Sequence, residues 1–226
     1  MLYVFGAAKF TPKFDVIPPA IPVLLKGAWF TILVTLFGVG IGFLIGIVMG
    51  LARTSKNVFV YTVSTWYIEF IRGTPLLVQL FFIFFGVGMF FNITGLQAAI
   101  LGISLNSGAY IAEIVRGGIQ SIERGQMEAG RSLGMTYLAT MRHIIWPQAF
   151  RRIIPPLGNQ FIISLKDTSL LSVIAVPELT RRGQIIIATN FRAFEIWAAV
   201  AVVYLIMTLS ISVGLQKLEK KLNIPG

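Results

Sequence analysis

The sequence predicts an all-α integral membrane protein, and two observations support that prediction. Hydrophobic residues make up 56% of the 226 residues and charged residues only 12%, with a mean hydropathy of +0.81. Globular proteins average about 25% charged residues. The apolar residues are also gathered into runs of about 20, the length at which a helix crosses the hydrocarbon core of a bilayer.

Five apolar stretches are long enough to be transmembrane helices, and they cover residues 20–51, 74–91, 96–116, 148–165 and 194–216. The first is rich in glycines that would let a neighbouring helix backbone approach closely, namely Gly38, Gly40, Gly42, Gly46 and Gly50. The segment before the second stretch, residues 58–72, mixes aromatic and charged residues with apolar ones and predicts an interfacial helix. Glu69 and Arg72, three positions apart in it, are expected to pair near its end.

The distribution of Lys and Arg predicts the orientation. Twelve lie on one side of the membrane: Arg53, Lys56, Arg72, Arg116, Arg124, Arg131, Arg142, Arg151, Arg152, Lys217, Lys220 and Lys221. Six lie on the other side: Lys9, Lys13, Lys26, Arg181, Arg182 and Arg192. Because the richer side is normally cytoplasmic, the N-terminus is expected outside and the C-terminus inside. The predicted parts are an extracytoplasmic tail (1–19), a transmembrane domain (20–217) and a cytoplasmic tail (218–226).

One polar segment within the chain is expected to form a helix in the cytosol, inside the region 119–147. Residues 125–142 lack proline and carry an apolar series at helical spacing, Ala129, Leu133, Tyr137 and Met141. Glycine inside a helix costs about 1 kcal/mol relative to alanine, so Gly130 and Gly134 suggest the close approach of a partner. An amphipathic helix lying on lipid headgroups is the alternative.

Polar residues in the third and fourth stretches predict a translocation surface, because lipid penalises them. Asn106, Tyr110, Glu113 and Gly117 share one face of the third helix. The fourth carries Gln160, Ser164 and Asp167 at the same kind of spacing, flanked by Asn159 and Lys166. A purely structural alternative pairs Glu113 with Arg116, and Lys166 with an acid on another helix.

The composition argues against several other classes of protein. The absence of Cys excludes thiolate chemistry and Cys metal sites, and the single His143 cannot form a zinc site alone. The net charge of +10 lies in short clusters between apolar runs, which is not the pattern of a nucleic-acid-binding surface. No internal repeat or carbonyl filter sequence indicates an ion channel or a secondary carrier, although that class stays an alternative.

The polar segment resembles the cytoplasmic loop shared by permease subunits of bacterial ABC importers, through Glu128, Ala129, Gly130, Gly134, Ile144 and Pro147. Other stretches resemble the polar amino-acid branch of that family, which takes up histidine, glutamine or arginine: residues 72–79 (RGTPLLVQ), 106–113 (NSGAYIAE), 116–119 (RGGI), 125–126 (GQ), 146–149 (WPQA) and 166–170 (KDTSL). Gly130 and Trp146 depart from the family's usual alanine and leucine, which affects docking geometry more than the assignment.

The resemblance implies a type I ABC importer fold and a permease subunit in the bacterial plasma membrane that imports polar L-amino acids, basic ones included. Another small polar solute is the alternative. Because the chain has no phosphate-binding loop motif, ATP and Mg²⁺ are expected on a partner ATPase, and this chain is not expected to be an enzyme or to bind a cofactor. A second permease subunit, identical or related, and an extracytoplasmic solute-binding protein complete the implied assembly.

The same resemblance implies one specific role, that of a coupling helix, and the other roles are hypothesised from the partners that a zwitterionic solute needs in a region of low dielectric. Glu128, Ala129, Gly130 and Gly134 would form a coupling helix seated in the ATPase. Asn159 and Ser164 would contact the backbone groups of the solute, and Asp167 or Glu113 would meet its ammonium. Asn106, Tyr110 and Lys166 would line the pathway with them.

Overall fold

The computed structural model describes residues 12–221, and every regular element in that range is a helix. The α-helices are α1 (Ile17–Ala52), α2 (Val58–Gly73), α3 (Leu76–Phe81), α4 (Gly95–Gln120), α5 (Arg124–Ser132), α6 (Tyr137–Thr140), α7 (Trp146–Asp167), α8 (Leu179–Asn190) and α9 (Ala193–Lys221). Shorter π and 3-10 segments extend α3 through Met89, join α6 to α7 and follow α7 as far as Ile174. The all-helical prediction is therefore confirmed for the described residues. Residues 1–11 and 222–226 of the two predicted tails lie outside them.

Three helical segments between residues 12 and 221 are long and apolar enough to cross a membrane: Phe14–Ala52, Gly95–Gln120 and Ala193–Lys221. The pair formed by α2 and the helix that begins at Leu76 meets the same requirement together, but it is bent by 105°. The 22-residue α7 is not among these segments, since prolines, amides and a pair of arginines make it less apolar. The count of five spans accordingly stays a prediction.

The close pairing of α1 with α4 forms the centre of the fold. Gly38, Gly42, Gly46 and Gly50 recur every fourth residue along α1 and therefore share one face. A Cβ added to Gly46 would lie 2.5 Å from Cγ2 of Ile111, and the other three would likewise meet atoms of α4. The prediction of close backbone approach is thus confirmed for these four glycines. The prediction is wrong for Gly40, because a Cβ added there would meet no atom of another residue within 4 Å.

A second apolar cluster ties the start of α1 to α8 and α9. Leu24, Leu179 and Ile196 are its fully buried members. The backbone N–H of Leu179 donates to Oγ1 of Thr31 at 3.2 Å, and Glu178 caps α8 by accepting from the N–H groups of Thr180 and Arg181. Residues 168–192, predicted as a segment on the outer side, thus consist largely of helix packed on α1.

Candidate translocation site and coupling segment

A polar cavity lies beside a break between α2 and α3. Thr74 is extended (φ −119°, ψ 143°), as expected for a residue that precedes proline, and Pro75 is the N-cap residue of α3. The backbone there leaves carbonyl groups without helical partners. Gln79 satisfies two of them, because its Nε2 donates to the carbonyl oxygen of Ile71 at 2.7 Å and to that of Thr74 at 3.0 Å.

Gln79 also joins this break to α4. Nδ2 of Asn106 donates to Oε1 of Gln79 at 3.3 Å, and both side chains are buried. The amide of Gln79 therefore serves as a bridge between the irregular backbone and the middle of α4. Irregular backbone is tolerated inside a membrane only where protein buries it or where it lines an aqueous cavity.

The cavity has a volume of about 620 Å³ and lies between the break, α4 and α7. Its lining brings together a cation, an acid, two amides and two hydroxyl groups. The lining residues are Arg72, Gly73, Thr74, Pro75, Leu76, Asn106, Tyr110, Gln160, Ile163 and Asp167. Among the residues of the predicted translocation surface, the structure places Asn106, Tyr110, Gln160 and Asp167 here.

Glu113 does not line this cavity. Its carboxylate forms salt bridges with guanidinium groups from three helix ends: Arg53 after α1, Arg72 at the end of α2, at 3.6 Å, and Arg116 on α4, at 2.7 Å. Arg53 also reaches Glu69 at 2.6 Å. The geometry therefore favours the structural alternative, in which Glu113 pairs with Arg116. Arg53 and Arg72 are two further partners that the i, i+3 spacing did not indicate. The prediction that Glu69 pairs with Arg72 is wrong, because Glu69 pairs with Arg53 and Arg72 pairs with Glu113.

Three other predicted pathway residues on α7 occupy different environments. Ser164 is buried and accepts a hydrogen bond from Nε2 of Gln160 at 3.2 Å, so it acts behind the cavity wall. Asn159 and Lys166 are exposed and are not part of this lining. They lie seven positions apart and therefore share one stripe of α7. Within residues 12–221, Lys166 forms no salt bridge with another helix.

The polar segment after α4 is two helices and not the single helix predicted for residues 125–142. The first, α5, ends at Ser132, and Gly134 follows with a φ of +83°. The N–H of Gly134 donates to the Arg131 carbonyl and that of Met135 to the Gly130 carbonyl, both at 3.1 Å. This pair of bonds is the Schellman motif, which terminates a helix at a left-handed glycine.

The two glycines of this segment are thus present for different reasons. A Cβ on Gly130 would lie 2.5 Å from Cγ2 of Thr140, so Gly130 allows α5 to pack on the next helical turn of the same chain. Gly134 has open space around it, and its backbone conformation explains the residue. The inference that a partner chain approaches Gly134 too closely for a side chain stays a prediction, and no residue of this chain makes that approach.

Near the Gly134 turn, the segment from α5 to α6 exposes large apolar side chains. Leu133 is 81% exposed and Leu138 is 77% exposed, while Met141 and Ile145 of the predicted apolar face pack on the core. Glu128 and Ala129 are exposed on α5. Two large, nearly bare leucines beside polar residues are typical of a surface that another protein covers.

One signal in the sequence could have indicated more of the residues that line the cavity. Gly73, Thr74 and Pro75 interrupt an apolar run, and an interrupted membrane helix often marks a binding site in transporters. Thr74 and Gln79 were missed because neither shares a helical face with Asn106. No cluster of three or more metal-ligating side chains exists within the described residues.

Comparisons with known proteins agree with this architecture. The glutamine transport system permease protein GlnP of Escherichia coli strain K12 is 52% identical over 209 residues, which cover 91% of this chain and 95% of that protein. The L-cystine transport system permease protein TcyB of Bacillus subtilis strain 168 is 42% identical and covers 89% of this chain and 87% of its own length. A crystal structure of an amino acid ABC transporter with histidines superposes with a TM-score of 0.90 at 41% identity, covering 94% of this chain and 100% of that one.

A protein family described as the binding-protein-dependent transport system inner membrane component matches residues 42–224. That range includes the helix break, the polar cavity, α7 and the whole segment from α5 to α6. The chain therefore belongs to the family of inner membrane components of binding-protein-dependent transport systems.

Proposed function

We propose that this chain is the membrane-spanning permease subunit of an ATP-driven importer, and that it carries a polar L-amino acid through the cavity beside the α2–α3 break. The observation that carries the proposal is the composition of that cavity. Arg72 and Asp167 provide opposite charges, and Asn106, Gln160 and Thr74 provide amide and hydroxyl groups. A zwitterionic solute that leaves water needs both kinds of partner.

The names of the relatives narrow the choice of solute. The relative named as a glutamine permease is 52% identical, and other relatives are named for cystine and for nopaline. L-glutamine is therefore the first solute to test, and a basic amino acid is the second. Another small polar solute is the alternative within the same class.

The proposed assembly contains two copies of a permease, either identical or related, two ATPases that bind ATP and Mg²⁺, and an extracytoplasmic solute-binding protein. Asn159 and Lys166, which lie on one exposed stripe of α7, support the second permease. Polar groups facing lipid are costly, so we infer that this stripe faces a partner subunit or the aqueous pathway. The pathway then includes residues outside the cavity of a single chain.

The proposed contact with the ATPase is the α5–α6 segment. Leu133 and Leu138 offer apolar area, and the Gly134 turn sets the angle between the two helices that carry it. By the distribution of Lys and Arg, this segment faces the cytosol and the α8 side faces outward. Five membrane crossings satisfy this arrangement if α2–α3 and α7 each count as one.

The experiment that tests the proposed function is reconstitution. The permease is purified with the ATPase and the binding protein of its own system and placed in proteoliposomes, and ATP-dependent uptake is measured for a panel of labelled amino acids. We expect uptake of L-glutamine or a basic amino acid that requires both ATP and the binding protein. Uptake that persists without the ATPase would contradict the proposal and favour a secondary carrier.

A further inference from the structure

Arg72 stands between the ion-pair cluster and the polar cavity. It lies in the last turn of α2, and its side chain is 37% exposed. One side of the guanidinium faces Oε2 of Glu113 at 3.6 Å, and its central carbon lies 5.4 Å from the centre of the Tyr110 ring. Arg72 is also one of the residues that line the cavity.

The three arginines around Glu113 are not held equally. Arg116 donates three hydrogen bonds to the Glu113 carboxylate, at 2.7 to 3.2 Å, and Arg53 bonds both Glu113 and Glu69. Arg72 reaches Glu113 only at 3.6 Å and donates no hydrogen bond to any group within residues 12–221. One carboxylate that is already well bonded thus leaves most of the hydrogen-bonding capacity of Arg72 unused.

An arginine guanidinium has five N–H donors in a planar fork that fits a carboxylate with two parallel hydrogen bonds. The Tyr110 ring lies within cation–π distance of the guanidinium and uses none of its N–H donors. Asp167, across the cavity on α7, is an acceptor and carries the opposite charge. The charges of the two groups match those of the two ends of an α-amino acid, with a carboxylate at Arg72 and an ammonium at Asp167.

We propose that Arg72 binds the carboxylate of the transported solute and thereby determines that the permease accepts amino acids with a free α-carboxylate. The inference rests on the proposed function, because it assigns one group within the same cavity. When the solute binds, Arg72 leaves Glu113, whose charge is still balanced by Arg53 and Arg116. Arg72 is thus a specificity-determining residue, and it pairs with Glu113 when no solute is bound.

The test measures solute binding by the purified permease–ATPase complex in nanodiscs, without the binding protein, whose own preference for amino acids would mask that of the permease. Ligand-observed NMR titrations compare L-glutamine with its α-carboxamide derivative, at about pH 6 so that both ammonium groups stay protonated. The wild-type complex is expected to bind L-glutamine at least about 10-fold more tightly than the derivative, as for a charge-assisted pair.

The variants separate the inference from a general structural effect. Arg72→Gln is expected to bind both compounds equally weakly, and Arg72→Lys to recover part of the preference for L-glutamine. Arg53→Gln is the matched control, since Arg53 also pairs with Glu113 but does not line the cavity. That variant is expected to keep the wild-type preference.

Two outcomes would overturn the inference, and they are distinguishable. If wild-type and Arg72→Gln complexes prefer L-glutamine to the same degree, Arg72 does not bind the carboxylate, although the proposed function stands. If the wild-type complex binds no amino acid of the panel while its basal ATPase activity is intact, the proposed function fails and the inference fails with it.

Discussion

The side chains of Asn106 and Gln79 hold the broken backbone of one helix against the centre of another. The amide of Asn106 donates to that of Gln79 at 3.3 Å, and Gln79 donates in turn to two carbonyl groups at the break. The cavity beside Thr74 therefore depends on an interaction between residues 27 positions apart in the sequence.

Replacing Gln79 with leucine is expected to destabilise this break. The carbonyl groups of Ile71 and Thr74 would lose the Gln79 donor, and an unsatisfied buried polar group costs about 1–3 kcal/mol. The variant should unfold at a lower temperature in detergent, as followed by circular dichroism. The exposed Gln126→Leu is the control and should unfold like the wild type. Equal unfolding temperatures for both variants would show that Gln79 does not support the break.

Replacing Glu113 with glutamine is expected to lower stability without weakening solute binding. Three guanidinium groups would lose their shared carboxylate, and removal of one partner from a buried ion pair costs about 3–5 kcal/mol, less here because the cluster is partly exposed. The variant should unfold at a lower temperature, and the complex that survives should transport with a KM that is not raised, because Arg72 no longer has to leave a charged partner. A raised KM with normal stability would place Glu113 in the pathway instead.

At Gly134, an alanine is expected to weaken coupling. A residue with a Cβ pays about 1–2 kcal/mol at a positive φ, so the Schellman turn would shift and move Leu133 relative to Leu138. Less ATPase should copurify with Gly134→Ala than with the wild type. Gly134→Asn should recover more ATPase than Gly134→Ala does, since asparagine tolerates this conformation better. Gly125→Ala, at an open position in α5, is the control. Normal recovery of ATPase with Gly134→Ala would contradict the role of the turn.

The orientation can be measured directly because the chain contains no cysteine. Ser132→Cys, at the end of α5, should react only with reagents that enter the cytosol, whereas Ala188→Cys, on α8, should react in intact cells. Both positions are exposed. Labelling of residue 132 from outside would reverse the assignment and remove the α5–α6 segment from the reach of an ATPase.

Much of the architecture could be predicted from the sequence because it depends on local patterns. The length of apolar runs located α1, α4 and α9, and glycines at every fourth position indicated the α1–α4 contact. The failures concern longer-range geometry. Arg53 lies 60 residues before Glu113, so helical spacing could not reveal the pair. At Gly134, the periodicity of the apolar residues continued across a turn that only the backbone conformation defines.

In the candidate site as well, local patterns could be predicted from the sequence and longer-range geometry could not. Asn106, Tyr110 and Asp167 could be selected because polar residues are conspicuous in an apolar helix. Thr74 could not, because it acquires its place from a helix pair bent by 105°. Asn159 shares its helix with Gln160, and only the packing of α7 on α4 determines which of the two amides lines the cavity.

ATP-dependent uptake by Asp167→Asn in the reconstituted importer tests the central claim most directly. Loss of the charged partner of an ammonium is expected to lower affinity about 30-fold or more, while basal ATPase activity of the assembled complex stays normal. Asp15→Asn, an exposed position before α1, is the control and should transport like the wild type. Transport by Asp167→Asn with an unchanged concentration dependence would contradict the assignment of this cavity as the solute pathway.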